Sequence, residues 1–252
     1  MRGFYAFFKK ECMENLKNHR LLILAAVFLI FGMMNAPFAK YTPEILATFA
    51  DGFTVNVAPS AIDSWTQFFK NASGLGMSIV IILFGSTLAT EYSKGTLVLL
   101  VTKGLPRAAI LLAKYFVAVL VMSGCYWLSF LVTYGYTAYY WPDNNLSRIV
   151  PAAAALWTLG FLYLALLMLG GVLFRQTFSA ILFTGAIVAV LSLVNTFGFL
   201  EHINPIRLSI DNLALIEGTV ALSDMTAPVL MSLALTIISL CAAVKIFAHK
   251  SL

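Results

Sequence analysis

Charged residues are scarce in this sequence. Only 11% of its 252 residues are charged, whereas 61% are apolar and the mean hydropathy is +0.91. Soluble domains carry about 25% charged and about 45–50% apolar residues. The composition therefore excludes a soluble globular protein and predicts an integral membrane protein.

The residue types that build disulfide frameworks, metal sites and phosphate sites are few and isolated. The cysteines are Cys12, Cys125 and Cys241, and the histidines are His19, His202 and His249. They form no CxxC pair and no HExxH motif, no span carries two carboxylates three or four residues apart, and no paired charges are evident within the spans. The only approach to a phosphate-binding loop, residues 93–96, lacks the upstream glycine. We therefore expect no enzyme chemistry and no cofactor in this chain.

Six apolar runs are each long enough to cross a bilayer core about 30 Å thick, which needs about 20 helical residues. They cover residues 21–39, 72–90, 110–139, 151–174, 179–200 and 227–248. The first run has no small-residue cleavage site after it, so we read it as a retained span. The third is longer than one crossing and contains Lys114, whose cost the surrounding apolar residues offset. The predicted fold is a single all-α transmembrane domain over residues 1–252.

The distribution of basic residues predicts that both termini are cytoplasmic. Twelve of the sixteen lysines and arginines fall on the side of the termini, and eight of the eleven acidic residues fall on the other. The basic residues lie along every edge of that side, without the stripe and interleaved aromatics of a nucleic-acid site. Anionic lipid headgroups are the expected partner of this charge, and nucleic acid is not.

The first twenty residues have the pattern of an amphipathic helix. At 100° per residue, one face carries Tyr5, Phe8, Cys12 and Leu16, and the other carries Lys10, Glu14 and Lys17. Such a helix lies in the plane of the membrane interface. The alternative is a basic flank that only orients the first span. Residues 18–20 supply a polar break before that span.

The segment between the second and third spans is basic and rich in turn residues. Glu91 lies at the end of a helix where the dipole disfavours a carboxylate, so we expect it to pair with a cation. The candidates are Lys94, Lys103 and Arg107, which can approach if Gly95 and Gly104 allow turns. Between the glycines, residues 96–102 can form a short helix on the membrane surface. The alternative is that these cations only enforce topology.

Several motifs together resemble the permease subunits of type-2 ATP-binding-cassette (ABC) exporters, in the small bacterial form that has a separate ATPase. They are the residues Phe8, Lys9, Lys10 and Glu11, the pattern Glu91, Lys94, Gly95, Thr96 and Leu97 followed by Thr102, Lys103, Gly104 and Arg107, and the segments 31–34, 39–44 and 65–70. The resemblance covers essentially the whole chain.

The resemblance implies roles for these segments. The N-terminal helix would be an elbow, and the segment after the second span would dock in the nucleotide-binding subunit. Glu91, Lys94, Gly95, Thr96, Lys103 and Arg107 would then be the coupling residues. It further implies a second permease subunit, identical or related, in the plasma membrane, with ATP and Mg²⁺ bound by the ATPase partner.

The segment after the fifth span has two readings. On composition, residues 204–217 form a plain outer loop, whereas related permeases fold this region into short helices that dip toward the membrane and cap the pathway. Asn204 and Pro205 are thus candidates for an outer gate. Asn195 and Thr196, the deepest polar residues of the fifth span, either line a pathway or bond to a neighbouring helix.

The tyrosine-rich stretch 132–136 has the residues of a potassium-channel filter in another order. Because it lies within a continuous helical run, we interpret it and the aromatics that follow as an outer aromatic belt.

The resemblance implies ATP-driven export of a drug, an antimicrobial peptide or a lipid-like molecule. The residues themselves fix neither substrate nor direction. Two alternatives stay open, a channel or secondary carrier that needs no ATP and a membrane scaffold that transports nothing.

Overall fold

A computed structural model describes residues 2–49, 58–102, 104–143, 146–198 and 200–250. Every secondary-structure element in these ranges is helical. The α-helices are α1 (Arg2–Lys17), α2 (Arg20–Phe49), α3 (Ala61–Asn71), α4 (Met77–Ser93), α5 (Thr96–Thr102), α6 (Arg107–Tyr140), α7 (Ile149–Phe174), α8 (Thr177–Thr196), α9 (Arg207–Ile210), α10 (Asn212–Glu217) and α11 (Leu222–His249). A π-helical turn (Ala72–Gly76) joins α3 to α4, and a 3₁₀ turn (Glu201–Ile203) follows α8.

Six helices are long and apolar enough to span a membrane, which confirms the predicted all-α, six-span class. They are α2, the continuous pair α3 and α4, α6, α7, α8 and α11. The helices exceed the predicted bounds most at the first two spans. The helix of the second begins at Ala61 rather than near residue 72, because polar flanks continue a helix beyond its apolar window. Stretch 132–136 lies inside α6, as predicted.

The helices pack around α7, the most enclosed span, which contacts α4, α6, α8 and α11. The two ends of the bundle differ in chemistry. We call the end that carries α1, α5, the start of α6 and the last turns of α7 and α11 the charged end. At the opposite end, aromatic side chains such as Tyr139 are exposed, and the ammonium of Lys40 lies 4.3 Å from the ring centroid of Tyr140.

An aromatic cluster fixes α3 against α6. Trp65, Phe68 and Phe69 lie on one face of α3 and are almost fully buried. The ring centroid of Trp65 lies 5.6 Å from that of Phe68 and 5.2 Å from that of Phe130 on α6. Edge-to-face and tilted pairs at such distances are the favoured arrangements of aromatic rings. The half of the bundle away from the charged end is therefore tightly packed.

A close contact between α2 and α6 requires glycine at position 32. A Cβ atom added there would lie 2.9 Å from the carbonyl oxygen and 3.2 Å from the Cα of Ser129, both backbone atoms of α6. The close approach also allows the Thr133 hydroxyl to donate to the Gly32 carbonyl, at 3.3 Å. Small residues commonly permit such approaches between membrane helices.

We expect Gly32→Ala to destabilise the protein by about 1–3 kcal/mol, because α2 and α6 must move apart to accept the methyl group. Thermal unfolding in detergent measures the effect. The matched control is Gly124→Ala on α6, where nothing lies within 4 Å of the added Cβ. It should be neutral or stabilising by up to about 1 kcal/mol. Equal unfolding midpoints for the two variants would contradict the predicted contact.

Candidate functional site

A buried ion-pair cluster at the charged end joins three helices. The Lys114 ammonium of α6 donates to both carboxylate oxygens of Glu11 on α1, at 3.0 and 2.9 Å, and to Oε1 of Glu91 on α4, at 2.8 Å. The three residues are only 2–5% exposed. A buried charge is tolerated only when it is paired and hydrogen-bonded, as all three are here.

The face of α1 that packs on the bundle is not one of the two predicted from the sequence. Phe7, Glu11 and Asn15, spaced four residues apart, are buried, whereas Tyr5 and Leu16 of the predicted apolar face are exposed. The side of α1 that faces the bundle lies between the predicted apolar and polar faces. One side of the helix contacts protein, and the two predicted faces point outward. The predicted polar break is confirmed, since α1 ends at Lys17 and His19 has a left-handed φ of 57°.

Lys10 extends the cluster toward solvent. Its ammonium lies 2.8 Å from Glu14 and 3.5 Å from Glu91. Burial alone would lower the pKa of Lys10, but the hydrogen bond to Glu14 and the charges of Glu11 and Glu91 raise it above the usual value. Burial likewise opposes ionisation of Glu14, yet Lys10 lowers the pKa of that carboxyl. Both groups are therefore charged at neutral pH.

Arg20 fixes the junction between α1 and α2 to α4. Its guanidinium donates to the hydroxyls of Thr87, at 3.2 Å, and Ser86, at 2.8 Å. With Lys10, Glu11, Glu91 and Lys114 it lines a polar cavity of about 160 Å³.

Three carboxylates lie close together in the cluster. One carboxylate oxygen from each of Glu11, Glu14 and Glu91 lies within 4.8 Å of the others. The ammonium groups of Lys10 and Lys114 lie among these oxygens and offset two of the three negative charges. The group is best described as a helix-to-helix tie.

The segment between α4 and α6, residues 94–106, is here called the connector. It turns at Gly95 and Gly104, which have left-handed φ values of 65° and 83°, as the predicted glycine turns require. Between them α5 forms, as predicted. Leu97 packs inward and is 1% exposed, whereas Val98 and Leu99 point outward and are 46% and 62% exposed.

The predicted cation partners of Glu91 are wrong where the structure describes them. Glu91 pairs with Lys114 and Lys10, and its Oε2 accepts a hydrogen bond from Thr96 at 3.0 Å. Lys94 is an exposed residue at the C-cap of α4. Lys103 lies outside the described residues.

Arg107, the first residue of α6, caps the end of α11. Its Nη1 donates to the carbonyl oxygens of Phe247, Ala248 and Lys250, at 2.8, 3.2 and 2.6 Å. The last carbonyls of a helix lack partners within the helix, and a cation there also complements the dipole. Arg107 therefore fixes the start of α6 to the end of α11.

The remaining elbow residues divide between inside and outside. Phe8 is half-buried and packs on the core, Lys9 is exposed, and Glu11 is the buried partner of Lys114. Glu11 and Glu91 are buried against Lys114, and the predicted coupling role of Glu91 stays a prediction.

The candidate pathway residues lie at the end of α8 and just before α9. Asn204 is 3% exposed, and its amide donates to Leu191 of α8 at 2.8 Å, while Pro205 beside it is buried. Thr196 donates to its own helix, and Asn195 is half-buried. The short helices expected after the fifth span are present, as the 3₁₀ turn, α9 and α10. A gate or pathway role for these residues stays a prediction.

Sequence reasoning missed the ion-pair cluster. The expectation that no span carries paired ionisable groups is wrong, since Lys114 and Glu91 belong to helices long enough to span a membrane. The available signal was Lys114 itself, because a lysine inside an apolar run needs a carboxylate nearby. Glu11 lies 103 residues away in the sequence, so spacing on one helix does not reveal the pair.

Comparison with known proteins supports the transmembrane class. No protein-family model matches the chain. The chain is similar to the uncharacterized transmembrane protein YxlG of Bacillus subtilis (strain 168), with 26% identity over 169 residues. The match covers 63% of this chain and 64% of the relative, so the chain spans just under two thirds of that protein's length. The helices and this similarity together identify a multi-pass membrane protein.

Proposed function

We propose that the chain is the membrane-spanning subunit of an ABC exporter, working as a pair of permease subunits with a separate ATPase beneath each. The charged end would face the cytoplasm of a bacterial cell, with both termini there. ATP and Mg²⁺ would be bound by the ATPase, and this chain would carry no enzyme activity.

One observation supports this proposal most strongly, the construction of the connector. It presents the exposed apolar side chains of Val98 and Leu99 on a short helix while its near end is held by the buried pair of Glu91 and Lys114. Adjacent exposed apolar side chains on a fixed element mark a surface that a partner protein or lipid covers. A loop whose basic residues only set the membrane topology needs neither exposed apolar side chains nor a fixed end.

The ties at the charged end suggest how motion would enter the bundle. A displacement of α5 moves α4 directly through Gly95, and Lys114 transfers it to α6 and to α1. ATP binding would shift the equilibrium between two conformations only by its difference in affinity for them. The proposed cycle thus converts closure of the ATPases into rearrangement of the helices.

The test is affinity purification in mild detergent from membranes of the source organism, followed by transport in vesicles. We expect an ATPase subunit with a phosphate-binding loop in stoichiometric amount. The variant Leu99→Ser should weaken its retention about tenfold or more, a loss of about 1.4 kcal/mol. The control Ile203→Ser removes an exposed apolar side chain at the opposite end and should retain the ATPase normally.

Two outcomes contradict the proposal. One is purification without any such ATPase. The other is transport by vesicles that contain this chain alone, at the rate of the complete assembly.

A secondary carrier is a second candidate, favoured by the ion pair of Lys114 and Glu91, because paired charges within spans are common in proton-coupled transport. Both residues, however, belong to the helix turns nearest the charged end. Among the described residues, no further ionisable groups continue a proton pathway from there through the membrane. Dependence of uptake on a pH gradient, with no ATPase present, would favour this candidate.

The cargo proposed for the exporter is a drug, an antimicrobial peptide or a lipid-like molecule. This choice rests on the resemblance alone, and growth inhibition assays with compounds of the three classes separate them.

A further inference from the structure

The last turn of α11 is tied to two other helices at the charged end. We call Arg107, Phe247 and Lys250 the clasp. Arg107 shares the two protons of Nη1 among three carbonyl oxygens of residues 247–250. Because Arg107 directly follows the connector, the clasp fixes the connector's far end to α11.

The side chain of Lys250 makes the second tie. Its ammonium donates to the carbonyl oxygens of Val172, at 3.0 Å, and Leu173, at 2.6 Å. These belong to the last turn of α7, whose carbonyls lack partners within the helix. Through Lys250 the end of α11 therefore caps the central helix of the bundle.

Aromatic packing connects the clasp to the connector's near end. Phe247 is fully buried, and its ring meets that of Tyr92 edge to face, with centroids 6.2 Å apart. The Arg107 guanidinium lies 5.9 Å from the Phe247 ring centroid. Tyr92 follows Glu91 directly, so Phe247 lies between the two points at which the connector joins its helices.

From these contacts we propose that Lys250 and Arg107 are positioning residues that transmit displacement of the connector to α7 and α11. The inference rests on the proposed function for its consequence in transport, but the tie itself is a property of this chain. The Lys114 cluster links α4 to α6 and α1, and the clasp adds α7 and α11, which the cluster does not reach.

The tie is tested first on the purified chain without any partner. In Lys250→Met the capping bonds to α7 are lost, and the clasp loosens. We expect backbone amides near the connector's far end, such as those of Gly104 and Leu105, to exchange hydrogen for deuterium about five to ten times faster. Lys250→Arg, which keeps a cation, should restore slow exchange.

The matched control is Lys245→Met, which removes an exposed lysine from the same helix and should leave connector exchange unchanged. Equal exchange in Lys250→Met and the unmodified chain overturns the proposal, whatever the function of the protein. A uniform rise over all helices, rather than one confined to the connector and the ends of α7 and α11, also overturns it.

The second readout uses the complete assembly. Lys250→Met should retain the ATPase subunit but lower transport per ATP hydrolysed at least fivefold, since binding is preserved and transmission is lost. Normal transport per ATP with a loosened connector overturns the positioning role. If no ATPase is found, the proposed function fails, and the exchange experiment alone decides whether the tie exists.

Discussion

Replacement of Lys114 by methionine should destabilise the protein by about 3–5 kcal/mol, the usual cost of removing one partner from a buried ion pair. Methionine keeps the length and most of the volume of lysine, so the change is mainly electrostatic. Glu11 and Glu91 then share a buried site with only the half-exposed Lys10 beside them. Thermal unfolding in detergent, followed by tryptophan fluorescence, measures the loss.

Two comparisons separate the ion pair from a general effect of lost charge. Lys94→Met removes an exposed lysine of the connector, and surface substitutions of this kind change stability by less than about 0.5 kcal/mol. The triple variant Lys114→Met, Glu11→Gln and Glu91→Gln neutralises the whole cluster. It should recover most of the stability, because uncharged replacement of a complete buried ion cluster is often neutral.

A midpoint for Lys114→Met within about 2 °C of the unmodified protein would show that the cluster is not buried as described. Failure of the triple variant to recover would show that the side chains matter for their shape instead. If the proposed function is right, the triple variant has a further use. It folds without the tie between α1, α4 and α6, so it should retain the ATPase and transport poorly.

The class of the fold followed from the sequence because it depends on local properties. Six apolar runs of sufficient length predict six spanning helices, and each was found. The short helix α5 was also predictable, because Gly95 and Gly104 mark its ends and both adopt left-handed backbone conformations. Helix bounds were less accurate, since the window that detects a span ignores polar residues that continue the helix.

The chemistry of the charged end did not follow from the sequence, because it depends on residues far apart in the chain. Glu91 was expected to pair with Lys94, Lys103 or Arg107. Its main partner is instead Lys114, which lies beyond the first turn of α6. The bonds of Arg107 to the last turn of α11 were not predicted either. In both cases the packing of the helices, rather than spacing along the sequence, brings the two partners together.

The second large effect is expected at Trp65. Truncation to alanine removes the central ring of the aromatic cluster between α3 and α6, and Trp→Ala changes in cores cost about 3–5 kcal/mol. Trp65 is 0% exposed, with the rings of Phe68 and Phe130 within 6 Å of it, centroid to centroid. In a membrane helix the loss is mainly one of van der Waals contact, because lipid is as apolar as the cluster.

Trp65→Phe is the informative partner variant. The indole N–H of Trp65 has no hydrogen-bond partner in the described part of the chain. Substitution by phenylalanine therefore reduces the ring volume but breaks no hydrogen bond. The expected loss of stability is below about 2 kcal/mol. Tyr139→Ala, which removes an aromatic ring that is 76% exposed, should cost less still. Circular dichroism is the suitable probe, since a fluorescent residue is itself replaced. Equal losses for alanine and phenylalanine would mean that the indole N–H, rather than the packed ring, holds α3 against α6.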